Sequence, residues 1–280
     1  MSGCLKIRGK TFYWGRRTYL MGILNVTPDS FSDGGLYYDL EAALRRAERL
    51  LAEGADILDV GGESTRPFAE PVPEEEELRR VIPVIEEIRR RFPEIPLSID
   101  TYKARVAEEA LSAGADLVND VSALRFDPRM SEVIARRRPP VILMHMKGTP
   151  QTMQLDPTYE DLLGEIRAFL EERARLVESL GVPREGIILD PGIGFGKTFE
   201  HNLTLIRACK LFKEIGYPVL YGPSRKAFLG EILGKEARER DLGTAAVVAY
   251  LALQGADLVR VHNVGLCREV LKVLEALEGR

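Results

Sequence analysis

The chain predicts an α/β fold: one (β/α)8 TIM barrel preceded by a short N-terminal β-hairpin. Three observations carry that expectation. Eight brief apolar runs alternate with amphipathic helical segments, each run breaks into a polar loop at its carboxyl end, and no Ser/Gly-rich linker or low-complexity tract divides the 280 residues. Runs buried on both faces and joined by helices imply parallel strands, and eight such units in about 250 residues suit a closed barrel. A doubly wound open sheet is the rival, but no G-x-G-x-x-G opens the first helix to support it.

Residues 1–18 hold the hairpin, read across 5–13, and residues 19–280 the barrel, all as one α/β domain rather than two smaller ones. The eight runs are 19–24, 55–60, 96–100, 115–119, 141–145, 186–190, 218–221 and 257–261. After the first, Leu40, Ala43, Leu44, Ala47, Leu50 and Leu51 recur three and four apart, which is one face of a helix. After the fifth, Tyr159, Leu162, Leu163, Ile166, Phe169 and Leu170 repeat the stripe. Three helices end in Gly-Ala-Asp at Gly54, Gly114 and Gly255, where glycine takes the left-handed conformation that stops a helix before the next strand. Pro83, inside the helix after the second run, is expected to kink it.

A formal net charge of −4, with basic and acidic residues interspersed, offers no basic face to nucleic acid or to a membrane surface. Cys4, Cys209 and Cys267 are odd in number, far apart and without C-x-x-C spacing, which suits packing in a reducing compartment and neither a disulfide framework nor zinc. The longest apolar stretch, 245–253, falls short of the roughly 18 residues a membrane span needs. No basic segment followed by an apolar run stands at the N-terminus. A cytoplasmic protein with small-molecule partners is expected.

In a barrel of this kind the site lies where strands end and helices begin. Here those positions hold Asn25, Asp59, Asp100, Asn119, His145, Asp190, Ser224, Arg260 and His262. Any one of them, taken singly, reads first as a helix cap or a satisfied turn. The whole set is hard to explain as capping. Arg260 and His262 stand two apart on a strand, so they point to one face and can grip one anion. With Arg66, Arg225 and Lys226 also placed after strands, a phosphorylated substrate follows. Asp100 and Asp190, with Asn119 between them in sequence, could meet a flat amidine-like edge of N–H donors, as on a pterin or purine ring.

Gly192-Ile193-Gly194-Phe195-Gly196-Lys197-Thr198 imitates a phosphate-cradling loop, but the first glycine of G-x-x-x-x-G-K-[ST] falls on Pro191 and the run follows the sixth strand. His145 and His201 lack spaced acidic or thiol partners, so they make no zinc site, and His201 reads as structural. Glu63 reads as an acceptor that orders its loop.

Six motifs in order, each after an expected strand, resemble the dihydropteroate synthases from about residue 20 to 270. They are the run from Met21 through Asn25 and Phe31 to Gly35; Asp59-Val60-Gly61-Gly62-Glu63-Ser64-Thr65-Arg66-Pro67; Ser98-Ile99-Asp100-Thr101; Asp190-Pro191-Gly192-Ile193-Gly194-Phe195-Gly196-Lys197; Ser224-Arg225-Lys226; and Arg260-Val261-His262. The resemblance implies a transferase of folate biosynthesis, joining 4-aminobenzoate to 6-hydroxymethyl-7,8-dihydropterin diphosphate to give 7,8-dihydropteroate and pyrophosphate. It also implies that the eight-stranded barrel is a single pterin-binding domain, with sulfonamide inhibitors and a homodimer. Position by position, it implies that Asp100, Asn119, Asp190 and Lys226 hold the pterin. Asn25, Arg66, Arg260 and His262 would take the diphosphate, with Asn25 also reaching Mg2+. Phe31, Thr65, Pro67, Phe195 and the stem of Lys226 would form the aminobenzoate pocket. Asp100, Asp190, Lys226 and Arg260 make up the implied catalytic set.

Two positions depart from the family pattern: Phe68 stands where glycine usually follows Arg-Pro, and Ala227 where some members place serine near the benzoate carboxylate. The chemistry fits dissociative loss of Mg-pyrophosphate, with cations stabilising the departing group and the acids stabilising a pterin methylene cation. Two rivals stand beside this reading. A methyltetrahydrofolate corrinoid methyltransferase needs no diphosphate clamp, and a non-catalytic pterin-binding paralogue would bind without turnover.

Overall fold

The computed structural model describes residues 3–27, 35–64 and 69–279. Two short antiparallel strands come first, β1 (Cys4–Ile7) and β2 (Lys10–Tyr13), in the place expected for the hairpin. Eight parallel strands follow: β3 (Tyr19–Asn25), β4 (Ile57–Gly61), β5 (Leu97–Asp100), β6 (Leu117–Asp120), β7 (Val141–Met144), β8 (Ile187–Asp190), β9 (Leu220–Tyr221) and β10 (Leu258–Val261). Their order is β8-β7-β6-β5-β4-β3-β10-β9. The ends of that order meet through a parallel bridge between Leu189 and Val219, where the Leu189 N–H donates to the Pro218 carbonyl at 2.9 Å. The sheet is thus a barrel, as the alternation of runs and helices predicts, and the expected runs begin at most two residues before the observed strands.

Single helices follow β3 to β7 in turn: α1 (Gly35–Ala52), α2 (Glu74–Arg91), α3 (Ala104–Ala113), α4 (Met130–Arg137) and α5 (Leu162–Ser179). Two helices stand after β8, α6 (Phe199–Arg207) and α7 (Cys209–Lys213), and two after β9, α8 (Ala227–Leu233) and α9 (Asp241–Leu253); α10 (Val264–Leu277) closes the chain. The α1 stripe is buried at Ala43, Leu44, Ala47 and Leu50. α2 runs as one continuous helix across Pro83.

The hairpin seals the amino end of the barrel. Leu5, Ile7, Phe12 and Trp14 pack against Tyr19, Met21, Ile57, Leu117, Ile142, Ile188, Leu220 and Leu258, residues at the starts of barrel strands. The Phe12 and Tyr19 rings lie 4.9 Å apart. Burying the two large rings of Phe12 and Trp14 contributes roughly 1.5–3 kcal/mol each, so plugging this end adds to stability and leaves the carboxyl end for chemistry.

Gly54, Gly114 and Gly255 do take left-handed φ, at 99°, 117° and 88°. The Asp two residues after each has a role that the glycine alone does not reveal. Asp56, Asp116 and Asp257 accept the N–H groups of Leu20, Leu97 and Val219, each near the start of a neighbouring strand, at 2.9, 3.0 and 2.8 Å. Each is also paired to cations: Asp56 to Arg17 and Arg268, Asp116 to Arg8 and Arg89, Asp257 to Lys213. These three carboxylates tie the amino rim together, at the end of a barrel that serves stability.

Candidate active site

Register places the strand-end residues side by side. Asn25 stands opposite Gly61, Gly61 opposite Asp100, and Asp100 opposite Asn119, one row across β3 to β6. Asp59 lies two residues before Gly61 and shares its face of β4. From β10 the Arg260 guanidinium reaches into this row. Its Nε donates to Asp59 Oδ2 at 2.5 Å and its Nη2 to Asp100 Oδ2 at 2.6 Å, while Asn119 Nδ2 donates to the same Asp59 oxygen at 3.1 Å.

Asp59 is therefore the hub of the site: fully buried, it orients both Arg260 and Asn119. Its other oxygen, Oδ1, has no hydrogen-bond partner among the described residues. One guanidinium serves two carboxylates, so the cluster holds excess negative charge. Burial pushes the Asp100 carboxyl up, to about 7, against the pull of Arg260 and with the help of Asp59. The same two carboxylates raise the Arg260 guanidinium further despite its burial. Two of the five guanidinium N–H donors are used here, which leaves three for an incoming anion.

Across the mouth, Asp190 Oδ1 accepts the Gly192 N–H at 2.7 Å. Burial pushes its carboxyl up to about 6, opposed by that N–H and by Lys197, Lys226 and Arg260. The Lys226 ammonium lies 3.9 Å from the centre of the Phe195 ring, a cation–π contact at the rim. Behind them, buried Lys197 donates to His145 Nδ1 at 2.9 Å and to the carbonyls of His145 and Phe195 at 3.0 Å each. Three acceptors match the three N–H bonds of an ammonium group. Burial pulls Lys197 well below the usual lysine value, with Asp190 opposing. Burial and then Lys197 hold His145 down to about 2, so its ring is neutral and Nδ1 can accept.

This arrangement disposes of the apparent phosphate loop, because its lysine is spent on β7 and on the loop itself. Gly192 is required where that loop crosses β7: at φ 73°, a Cβ there would lie 2.0 Å from the His145 carbonyl oxygen. His201 caps α6, exchanging bonds of 3.2 Å with Thr198 in a capping box. Glu63 accepts from Val72 N, Tyr102 Oη and Lys103, the bonds of a loop-ordering acceptor.

Beside the acidic row, a pocket of about 350 Å³ opens between α1 and the ends of β3 and β10, lined by Asn25, Arg46, Arg49, Glu53, Arg225, Asp241, His262 and Asn263 with Ile23. Ser224 Oγ lies 2.9 Å from His262 Nδ1 and accepts the His262 N–H at 3.1 Å. Arg225, counted in the sequence among the cations for a phosphorylated substrate, grips Asp241 through two bonds of 2.7 and 2.8 Å. The Asn25 carboxamide makes no hydrogen bond to a described residue. No group of three or more His, Cys, Asp or Glu able to hold a metal is found among the described residues. A lone amide oxygen of this kind fits a Mg2+ ion carried chiefly by substrate phosphates, since that ion takes few protein ligands at such sites.

Of the expected residues, Asp100, Asn119, Asp190, Lys226, Phe195 and Arg260 share the mouth, and Asn25 and His262 share the adjoining pocket. Phe31, Thr65, Arg66 and Pro67, with Phe68, lie outside the described residues. Sequence reasoning missed Arg46 and Lys197, and it gave Asp59 no role. Arg46 could have been found from its place beside Ala43, Ala47 and Leu50, at the border of a buried stripe.

The pterin binding enzyme family matches residues 21–262, and the chain belongs to that family. Its resemblance to particular members is close. It is 50% identical over 271 residues to the dihydropteroate synthase of a Synechocystis strain, covering 96% of this chain and 93% of that one. Two solved structures superpose with TM-scores of 0.92: dihydropteroate synthase of Xanthomonas albilineans with 4-aminobenzoic acid, and that of Yersinia pestis in a sulfonamide drug complex. The first is 44% identical and covers 100% of both chains. The second is 42% identical and covers 99% of this chain and 100% of that one.

Proposed function

We propose that this chain condenses 6-hydroxymethyl-7,8-dihydropterin diphosphate with 4-aminobenzoate, forming 7,8-dihydropteroate and releasing pyrophosphate in folate biosynthesis. One observation carries the reading: an acidic row that can receive a heterocycle's N–H edge adjoins a cationic pocket that can receive a diphosphate. Relatives named for this reaction, and one solved with 4-aminobenzoic acid, support it.

The bond that breaks joins the pterin methylene carbon to the diphosphate oxygen. The bond that forms joins the same carbon to the aromatic amine, which then loses a proton. Asp100, Asn119 and Asp190 receive the pterin ring's polar edge, and the carboxylates of Asp100 and Asp190, when ionised, stabilise positive charge growing on the methylene carbon. Arg260 lies between the halves of the substrate: two donors hold the acids in place and the remaining three face the departing anion. His262 and Asn25 hold that anion, and the family resemblance adds Arg66, which lies outside the described residues. Mg2+, with Asn25 as its protein ligand, would neutralise charge on the diphosphate.

Phe195 and the stem of Lys226 form one wall for the aminobenzoate; the family resemblance adds Phe31, Thr65 and Pro67, which lie outside the described residues. The amine is largely neutral at pH 7, so no protein nucleophile is needed and alignment alone can contribute roughly 7–11 kcal/mol. Sulfonamides would occupy the aminobenzoate wall, a reading supported by the drug complex of the Yersinia relative.

The three free cysteines suit a reducing compartment, and we place the enzyme in the cytoplasm. A homodimer formed across the exposed apolar faces of α8, α9 and α10 completes the reading. Pyrophosphate release tests the activity: it should require the pterin diphosphate and 4-aminobenzoate together, and fall when Mg2+ is chelated. Methyl transfer from methyltetrahydrofolate, or binding of both substrates without release, would contradict it.

A further inference from the structure

The pocket beside the acidic row contains three arginines, and two of them are already neutralised. Arg49 Nε is paired to Glu53 at 2.7 Å, and the Glu53 carboxylate also accepts the Gly265 N–H at 3.2 Å. Arg225 holds Asp241 with both arms, and Asp241 takes the Asn263 carboxamide as well, at 3.0 Å. Both acids of the pocket are therefore committed. Arg46 differs: it is partly buried, has no ion pair among the described residues, and donates from Nη2 to the backbone carbonyl of His262. That bond fixes the guanidinium beside His262 and leaves most of its donors unspent.

We infer that Arg46 is a further diphosphate-binding residue, which completes with His262 and Asn25 a seat for the leaving pyrophosphate. The inference rests on the reaction proposed above. A guanidinium held by one carbonyl bond offers its other N–H groups in a fixed fork, the geometry that suits a phosphate's oxygens. Because Arg260 is shared between Asp59 and Asp100, and the nearby Glu53 and Asp241 are each paired to another arginine, Arg46 supplies this end of the mouth with a guanidinium that no carboxylate of the described residues pairs directly. The ligand class is an inorganic or ester-linked diphosphate, and the part of the substrate that Arg46 recognises is the part that leaves.

The test uses Arg46→Gln and Arg46→Lys in the full chain. Glutamine keeps a donor for the His262 carbonyl and removes the charge; lysine keeps the charge. Calorimetric titration with Mg-pyrophosphate should show binding weakened about tenfold or more in R46Q and largely restored in R46K, the size expected for a charge-assisted bond. Affinity for 6-hydroxymethylpterin, which lacks phosphate, should match wild type in both. Unchanged pyrophosphate affinity in R46Q overturns the inference. So does an equal loss for both ligands, which would make Arg46 a brace for the whole rim.

Should R46Q fail to fold, the wild type still decides. The Arg46 Nε–H NMR resonance, assigned by its absence in R46K, should shift with pyrophosphate and not with the pterin alcohol; no shift overturns the inference. Wild-type protein that binds no pyrophosphate would instead sink the parent reaction, and the role of Arg46 with it.

Discussion

Asp190 holds its negative charge against its surroundings. Burial raises the carboxyl from 3.8 to about 6, so across that window the folded chain keeps a proton that the unfolded chain has released. The contribution of Asp190 to stability must then fall as pH rises from about 4 to 7. Asp190→Asn keeps an acceptor for the Gly192 N–H and removes the titration. Its stability relative to wild type, read from urea unfolding, should grow by about 3 kcal/mol over that range, since each pH unit between the two values is worth about 1.36 kcal/mol; a constant difference would contradict the assignment.

Much at this scale was legible. Asp100, Asn119, Asp190 and Arg260 announce themselves as polar residues ending apolar runs, where a buried charge needs a reason. Arg46 did not, because a charge on an amphipathic helix reads by default as a solvated face, and its exception depends on how α1 lies against β10. Lys197 was hidden by its motif. Only the fold shows that its loop doubles back so that the ammonium points inward to His145 and Phe195.

Among the elements, α9 is the one with the most apolar surface left exposed. A helix that is apolar nearly all round belongs in a buried setting, yet only one side of this one packs on the barrel, at Ala245, Val248 and Leu251. Leu242, Tyr250 and Leu253 remain 71%, 40% and 52% exposed, beside exposed Ile232 and Leu233 on α8 and Val273 and Leu277 on α10. The periods of three and four that revealed α1 and α5 in the sequence are blurred here because apolar side chains also stand on the exposed side of the helix. The homodimer proposed above would cover that surface. Sedimentation velocity should show a dimer at micromolar concentration, and Leu242→Glu with Leu253→Glu should give a folded monomer; a wild-type monomer at such concentrations would refute the pairing. The two-residue β9 was legible for a different reason, since its run of apolar residues begins before the ladder does.

Over the whole molecule, closure decides what can meet. Asp59 and Arg260 stand 201 residues apart in sequence, and only a sheet in which β10 lies beside β3, and β3 beside β4, lets them share a hydrogen bond. The hairpin and the three rim aspartates secure one end, so the other can carry unbalanced charge. The alternation of runs and helices made the barrel legible, but not which strand-end residues would touch, because that depends on register. The row Asn25, Gly61, Asp100 and Asn119 is a product of register.

The central claim is that acids and cations at one mouth hold the two halves of one substrate. Competition binding tests it directly, with fluorescent 6-hydroxymethylpterin and labelled Mg-pyrophosphate bound to the same protein. The account predicts that 6-hydroxymethyl-7,8-dihydropterin diphosphate displaces both ligands, at one concentration and with one midpoint. Displacement of either ligand alone would place the two halves in separate sites and contradict it.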